Sequence, residues 1–159
     1  MKRIFYLAAS VLFIAACSQG PKTSEDAKEV KEASEAAVLF TVDKQNSVLN
    51  WEGAKITETV HHGSINLSEG SLSVTDGNLV AGSFTVDMAS ITNADLTEET
   101  GKLKLEGHLK SGDFFNVAEF PTAKFEITAV QALEGVEGST HTITGNLTIK
   151  DITNSISFP

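Results

Sequence analysis

Apolar and polar residues alternate along most of the chain from Val38 onward, with the period of two that is typical of β-strands. Turn residues interrupt the alternation, and Asp76-Gly77 is a typical hairpin dipeptide. A further turn is predicted at Glu69-Gly70. The pattern predicts strands at 39–43, 48–56, 63–68, 78–91, 122–133 and 141–150, with a final apparent strand that carries Ile156 and Phe158. These elements favour an antiparallel all-β barrel or sandwich.

One short segment departs from this alternation. Within residues 102–110, Leu105 and Leu109 lie four apart, which predicts a helix with one apolar stripe. Gly112 is predicted to end this helix in the left-handed conformation. Phe114 and Phe115 follow, and burial favours each by roughly 1.5 to 3 kcal/mol, so we expect at least one of them in the core.

The apolar face of the predicted strands has two interpretations. Its residues could fill a core, or they could line a cavity for an apolar ligand. The pattern alone favours the filled core, because inward residues of small barrels are commonly packed. The residues concerned are Trp51, Phe84, Val86, Phe125, Ile127, Leu147 and Ile149.

Composition excludes one class of partner. The formal net charge is −9, and without Lys2 and Arg3 the chain has 10 lysines, no arginine and 21 acidic residues. Nucleic-acid binding needs a basic face, so we expect no nucleic-acid partner. The single cysteine, Cys17, excludes an internal disulfide.

Residues 1–16 have the features of an export signal. Lys2 and Arg3 precede an apolar run that is too short to span a membrane as a helix. The run ends Ile14-Ala15-Ala16-Cys17, which resembles a bacterial lipoprotein signal. That resemblance implies an acylated Cys17 and a membrane anchor. We therefore expect a lipid-anchored protein of the bacterial cell envelope, at the outer membrane by the sorting pattern of Ser18, whether periplasmic or surface-exposed.

Residues 17–37 join this anchor to the folded domain. They are rich in Ser, Lys, Glu, Asp and Ala and contain no aromatic residue. Such a segment buries too little apolar surface to order itself. We interpret residues 17–37 as the acylated cysteine followed by a flexible acidic tether.

Catalytic and metal-binding patterns are weak. No Ser lies in a nucleophile elbow, and Cys17 belongs to the lipoprotein signal. His61 and His62 are adjacent, so on a regular strand they would point to opposite faces and form a poor chelate. The remaining histidines, His108 and His141, have no ligand at a short spacing. We predict no catalytic residue, no metal and no enzymatic activity.

A longer set of motifs resembles a known family. Residues 108–115, His-Leu-Lys-Ser-Gly-Asp-Phe-Phe, are followed by Pro-Thr-Ala-Lys-Phe at 121–125. Shorter motifs at 49–51, 62–63, 82–87 and 145–150 match the same family in the same order along the chain. Together they resemble the YceI-like family of bacterial lipid-binding proteins over most of residues 38–159.

The resemblance implies a fold and a function. The fold would be a lipocalin-like, up-and-down antiparallel β-barrel with one short helical insertion. Its interior would bind a polyisoprenoid or similar amphiphilic lipid for transport, storage or sequestration, and no other cofactor is expected. We also keep a homodimer as a candidate assembly. The alternative function is a non-catalytic structural or protein-interaction module with a packed core.

The resemblance also assigns site residues. The apolar stripe defined above becomes the candidate lipid-binding set, Trp51, Phe84, Val86, Phe125, Ile127, Leu147 and Ile149, together with Phe114. His62 and His108 become candidates for the barrel mouth. Family members continue past the position of Thr153 with further strands, so residues 38–159 are expected to be a C-terminally incomplete barrel domain.

Overall fold

The computed structural model describes residues 25–32, 36–54 and 60–159. The described residues form eight β-strands and one α-helix. The strands are β1 (Glu25–Asp26), β2 (Val38–Thr41), β3 (Val48–Ala54), β4 (Val60–Thr75), β5 (Asn78–Asn93), β6 (Thr122–Ala132), β7 (His141–Ile149) and β8 (Ile152–Phe158). The helix, α1 (Lys102–Lys110), lies between β5 and β6.

All strands belong to one antiparallel sheet with the order β1-β8-β7-β6-β5-β4-β2. Strand β3 also pairs with β4, so β2 and β3 share the same side of this long strand. Strands β4 to β8 follow one another as an up-and-down meander. The prediction of an antiparallel up-and-down all-β fold with one short helical insertion is therefore confirmed.

The sheet is strongly curved but does not close among the described residues. Leu49 on β3 and Phe158 on β8 come from opposite sides of the sheet, yet both line one apolar groove. The two sides must therefore bend toward each other around that groove, which defines the concave face. No ladder joins β1 to β2 or β3 in the described part of the chain. The barrel is thus seen here as an open, curved sheet.

Two local predictions were wrong. Glu69-Gly70 is not a turn, because β4 runs unbroken from Val60 to Thr75 with an irregular register between Leu67 and Glu69. Alternating residues lie on both sides of this bulge, and the Glu-Gly sequence between them is typical of a turn. The sequence therefore resembles two separate strands. Gly112 also lacks a left-handed backbone, and the helix ends at Ser111, whose extended conformation lets its N–H bond the carbonyl of His108.

The core occupies one end of the concave face. It is built from Ile65, Leu67, Val86, Met88, Ile91 and Ala123. Leu109 from α1 and Phe115 from the following loop pack against it. Phe115, which is partly buried, therefore fulfils the prediction that one of the paired phenylalanines packs into the core, whereas Phe114 remains 47% exposed. The helix and its loop act as a cover over this end of the sheet.

The hairpin between β7 and β8 is tied to that cover. Its two turn residues, Lys150 and Asp151, both have positive φ, at 52° and 57°. The Lys150 ammonium donates a hydrogen bond of 2.8 Å to the carbonyl oxygen of Phe114. The turn and the loop after α1 are therefore joined at one end of the sheet.

Candidate functional site

The main candidate site is the apolar groove on the concave face. It has a volume of about 410 Å³. Only apolar side chains line it: Leu49, Leu67, Leu72, Leu79, Phe84, Val86, Phe125, Ile127, Ile143, Leu147, Ile156 and Phe158. Pockets for small molecules typically measure about 300 to 1,000 Å³ and are largely apolar, so this groove can hold an apolar chain.

Strand alternation and register explain why these side chains converge. Residues directly opposite one another share a face of the sheet, and Phe84 lies opposite Phe125, which lies opposite Leu147. On β8, Ile156 lies opposite Gly145 and Phe158 lies opposite Ile143, and both side chains also line the groove. The rings of Phe125 and Phe158 lie 5.6 Å apart between centroids. Six strands, β3 to β8, thus contribute to one continuous apolar wall.

A glycine allows the ring of Phe125 to lie flat on this wall. Gly145 on β7 is opposite Ile127 and next to Phe125. A Cβ atom at position 145 would overlap the Phe125 ring and lie 2.7 Å from the carbonyl oxygen of Glu126. Only glycine permits this close approach, so Gly145 sets the depth of the groove at Phe125.

The predicted lipid-binding residues divide into three groups. Five of them line the groove: Phe84, Val86, Phe125, Ile127 and Leu147. Trp51 and Ile149 instead pack against the core beyond it. Phe114 lies outside both, on the helix side, with its ring edge-on to His108 at 4.9 Å. Their binding role stays a prediction.

Trp51 is held over another glycine. Its indole Nε1–H donates to the carbonyl oxygen of Thr92 at 3.0 Å. Gly63, directly opposite Trp51, lies under the ring, and a Cβ there would be 2.8 Å from Nε1. Trp51 therefore covers β4 to reach β5, and it closes the packed end of the concave face.

The sequence reasoning omitted seven lining residues: Leu49, Leu67, Leu72, Leu79, Ile143, Ile156 and Phe158. Alternation along the strands could have identified most of these residues. Ile143 belongs to the same alternating series as Leu147, and Ile156 and Phe158 share a face of the last strand. Leu72 was harder to place, because the expected turn at Glu69-Gly70 separated it from Leu67.

The predicted mouth histidines do not line the groove. His108 is near the end of α1, with its Nε2 3.7 Å from a carboxylate oxygen of Asp113. His62 is near the start of β4, and its side chain is 60% exposed. Both belong to the half of the domain that carries the core and helix, so their assignment to a barrel mouth stays a prediction.

A polar cluster centred on Asp95 joins this half together. Its carboxylate accepts hydrogen bonds from His61 Nδ1 at 2.8 Å, the backbone N–H of His62 at 2.9 Å and Asn93 Nδ2 at 2.6 Å. These bonds, led by that from His61, hold the pKa of Asp95 well below its usual range. Asn93 is 1% exposed, and its backbone N–H donates to Glu106 on α1. The cluster therefore fastens β4, the end of β5 and the helix to one another.

The described residues contain no group of three or more His, Cys, Asp or Glu side chains that could hold a metal ion. Among these same residues, no helix is long and apolar enough to cross a membrane. Cys17, the predicted lipidation site, lies outside the described residues, as do residues 1–24 as a whole.

Comparison with known proteins identifies the family. The sequence profile of the YceI-like domain family matches residues 40–159, three quarters of the chain. The chain belongs to the YceI-like family. A UPF0312 protein of Pseudomonas aeruginosa is 30% identical over 151 residues, which cover 95% of this chain and 69% of that protein. Protein YceI of Salmonella newport is 28% identical over 126 residues, which cover 78% of this chain and 61% of that protein.

A solved structure resembles the YceI-like chain more distantly. The YCEI protein of Campylobacter jejuni has 14% sequence identity and a TM-score of 0.41, with coverage of 95% of this chain and 66% of that chain. The present chain thus spans about two thirds of the length of the YceI proteins that it matches. None of these three relatives has a name that denotes an enzyme.

Proposed function

We propose that this YceI-like protein binds the apolar chain of a lipid, a polyisoprenoid or similar amphiphile, in the groove on the concave face. The observation that carries the proposal is the all-apolar lining, to which six strands, β3 to β8, contribute. Burial of an apolar chain contributes about 0.8 kcal/mol for each methylene. Binding would serve transport, storage or sequestration of the lipid, without catalysis.

The all-apolar lining also argues for a ligand whose polar head group stays outside the groove. Its walls offer contacts but no polar partner, so a polar head group buried against them would lose its hydrogen bonds with water. An amphiphile avoids this cost by placing its tail in the groove and its head outside. This division is the usual physical basis of amphiphile binding by apolar sites.

A pair of matched substitutions tests the proposal. Leu147→Asn places an amide in the groove wall, whereas Leu103→Asn makes the same change on α1, where the leucine is 62% exposed. An unpaired amide against an apolar chain costs about 1 to 3 kcal/mol, so Leu147→Asn should weaken binding of a fluorescent fatty acid by roughly five- to 150-fold. Leu103→Asn should bind like the wild type.

The ligand itself is sought by native mass spectrometry and lipid extraction. The chain from Ser18, which retains every described residue, is purified from bacteria and sprayed intact. We expect an adduct with the mass of an isoprenoid or another long-chain amphiphile. Well-folded protein with no adduct, combined with equal probe binding by both asparagine variants, would refute the proposal.

A structural or protein-interaction module is the second candidate. The exposure of β2 favours it, since Val38, Leu39 and Phe40 are 60%, 63% and 54% exposed. An exposed apolar strand at the edge of a sheet is a site where another protein can add. Co-purification of a stoichiometric protein partner, lost in Phe40→Ser, would support this function.

Anchoring completes the proposal. We propose that acylated Cys17 holds the domain at the bacterial outer membrane, with residues 18–37 as the connection; the support is the lipoprotein-like signal alone. In cells, the wild type should fractionate with membranes, and Cys17→Ala should fractionate with soluble proteins. Equal membrane association of the two would exclude the anchor. Sedimentation of the chain from Ser18 tests the candidate homodimer.

A further inference from the structure

Residues Glu25–Glu32, called the strap, lie across the convex face of the sheet. The strap starts as β1, where Glu25 pairs with Ser155 and Asp26 with Asn154 of β8. Its last residues, Lys31 and Glu32, lie beside Thr75, Val80 and Val130 near the β4–β5 hairpin. The strap therefore connects the β8 edge with the far side of the sheet. These residues belong to the segment predicted as a tether, whose flexibility stays a prediction.

Asn146 fixes the middle of the strap. The backbone N–H of Lys28 donates to Asn146 Oδ1 at 2.8 Å, and Asn146 Nδ2 donates to the carbonyl oxygen of Lys28 at 2.6 Å. The side-chain amide thus satisfies both backbone groups of one residue, as a neighbouring strand would. Asn146 is only 5% exposed, and Ser155, its neighbour on β8, is 4% exposed. This contact joins residues that are 118 positions apart.

The strap is nevertheless held lightly. All of its residues are exposed, and it contributes little apolar surface, since its one large apolar residue, Val30, is 38% exposed. Its hold on the sheet rests on two ladder positions and the pair of bonds to Asn146, because the 2.7 Å ion pair between Lys28 and Glu25 lies within the strap itself. Segments with few buried contacts open locally while the rest of a protein stays folded.

The strap and the groove meet on β8. Beside β7, β1 is the only strand that pairs with β8 in the described part of the chain. The face of β8 that points to the concave side carries Ile156 and Phe158, which form one wall of the groove. Departure of the strap would leave β8 as a free edge strand held by β7 alone, and edge strands without a partner fray. The strap and this wall of the groove are therefore both attached to β8.

We propose that the strap is a latch: seated on Asn146, it holds β8 and keeps the lipid groove formed, and unseated, it lets that wall of the groove open. The coupling to ligand binding rests on the proposed function of the groove, whereas the coupling to β8 does not. The arrangement places a control of lipid uptake and release within the N-terminal segment that precedes the sheet.

The test removes one hydrogen bond from the latch in the chain from Ser18. Lys28→Pro eliminates the N–H that Asn146 accepts, and Lys28→Ala keeps it while it removes the ion pair with Glu25. In hydrogen exchange, the β8 amides of Lys28→Pro should exchange roughly three- to tenfold faster than in Lys28→Ala, the range that loss of one hydrogen bond predicts. Amides of α1 should exchange at the same rate in both.

A second variant guards against an unrelated effect of proline. Asn146→Leu removes both hydrogen bonds of this contact from the other side, so adding Lys28→Pro to it should make β8 no looser than Asn146→Leu alone does. Fluorescent fatty acid should bind Lys28→Pro more weakly than Lys28→Ala, by a similar factor. Unchanged exchange at β8 would overturn the latch. Faster exchange with unchanged probe affinity would overturn its control of the groove, and wild type that binds no probe would contradict the proposed function instead.

Discussion

The groove depends on the absence of one side-chain atom at position 145. Gly145→Ala adds a Cβ that overlaps the ring of Phe125. The ring is half-buried and faces the groove, so its easiest movement is into the groove rather than into the sheet. The substitution should therefore reduce the space for a ligand, and the contact of 2.7 Å with the carbonyl oxygen of Glu126 should also strain the pairing of β6 with β7.

The magnitude follows from the displaced volume. A ring that moves inward takes the place of one or two methylenes of ligand, each worth about 0.8 kcal/mol. A loss of about 0.8 to 1.6 kcal/mol corresponds to binding that is roughly four- to fifteenfold weaker. Overpacking should also lower the free energy of unfolding by about 1 to 3 kcal/mol. Titration with a fluorescent fatty acid and urea denaturation measure the two effects.

The chain offers a matched control and a rescue. Gly107→Ala makes the same change on α1, where a Cβ meets nothing within 4 Å, so it should leave binding unchanged. Combining Gly145→Ala with Phe125→Leu replaces the ring with a smaller side chain and should restore part of the affinity. If Gly145→Ala binds the probe and resists urea as well as the wild type, the reasoning about the depth of the groove is wrong.

Two further predictions concern the half of the domain that carries the core. Trp51→Phe removes the hydrogen bond to Thr92 and should lower the free energy of unfolding by about 0.5 to 1.5 kcal/mol. Urea denaturation followed by circular dichroism measures this difference, and equal stability of the two proteins would show that the bond contributes nothing. Asp95→Asn should be less stable than the wild type at pH 7. Because the pKa of Asp95 is lowered in the folded protein, its contribution is complete above about pH 4 and is lost as the pH falls further, so the two proteins should converge in acid. A difference that persists undiminished at pH 2 would contradict this assignment.

Alternation along the sequence identified much of the fold and five of the twelve residues that line the groove. Phe84, Phe125 and Leu147 were assigned to one face, and the register of β5, β6 and β7 does bring them together. Alternation could not separate the groove from the core, because Trp51 and Ile149 have the same pattern as Leu147. That separation depends on where α1 and its loop cover the sheet, which is a tertiary property.

Other features had no local signal at all. The contact between Lys28 and Asn146 joins a polar segment to a polar residue of a strand, and neither pattern indicates the other. Composition predicted only that residues 17–37 bury little, which agrees with the exposure of the strap but not with its strand pairing. Likewise, the bulge in β4 hid a continuous strand because its Glu-Gly sequence is typical of a turn.

The hairpin between β7 and β8 contains a lysine at a turn position whose backbone conformation is unfavourable for it. Positive φ at both turn positions favours Asn and Gly, and a lysine there has an intrinsic conformational cost. Lys150 offsets that cost through its bond to Phe114, which no glycine could make. A glycine at this position should therefore speed formation of the hairpin while it releases the loop after α1. Local folding propensity and long-range attachment are thus in conflict at a single residue, and this chain favours attachment.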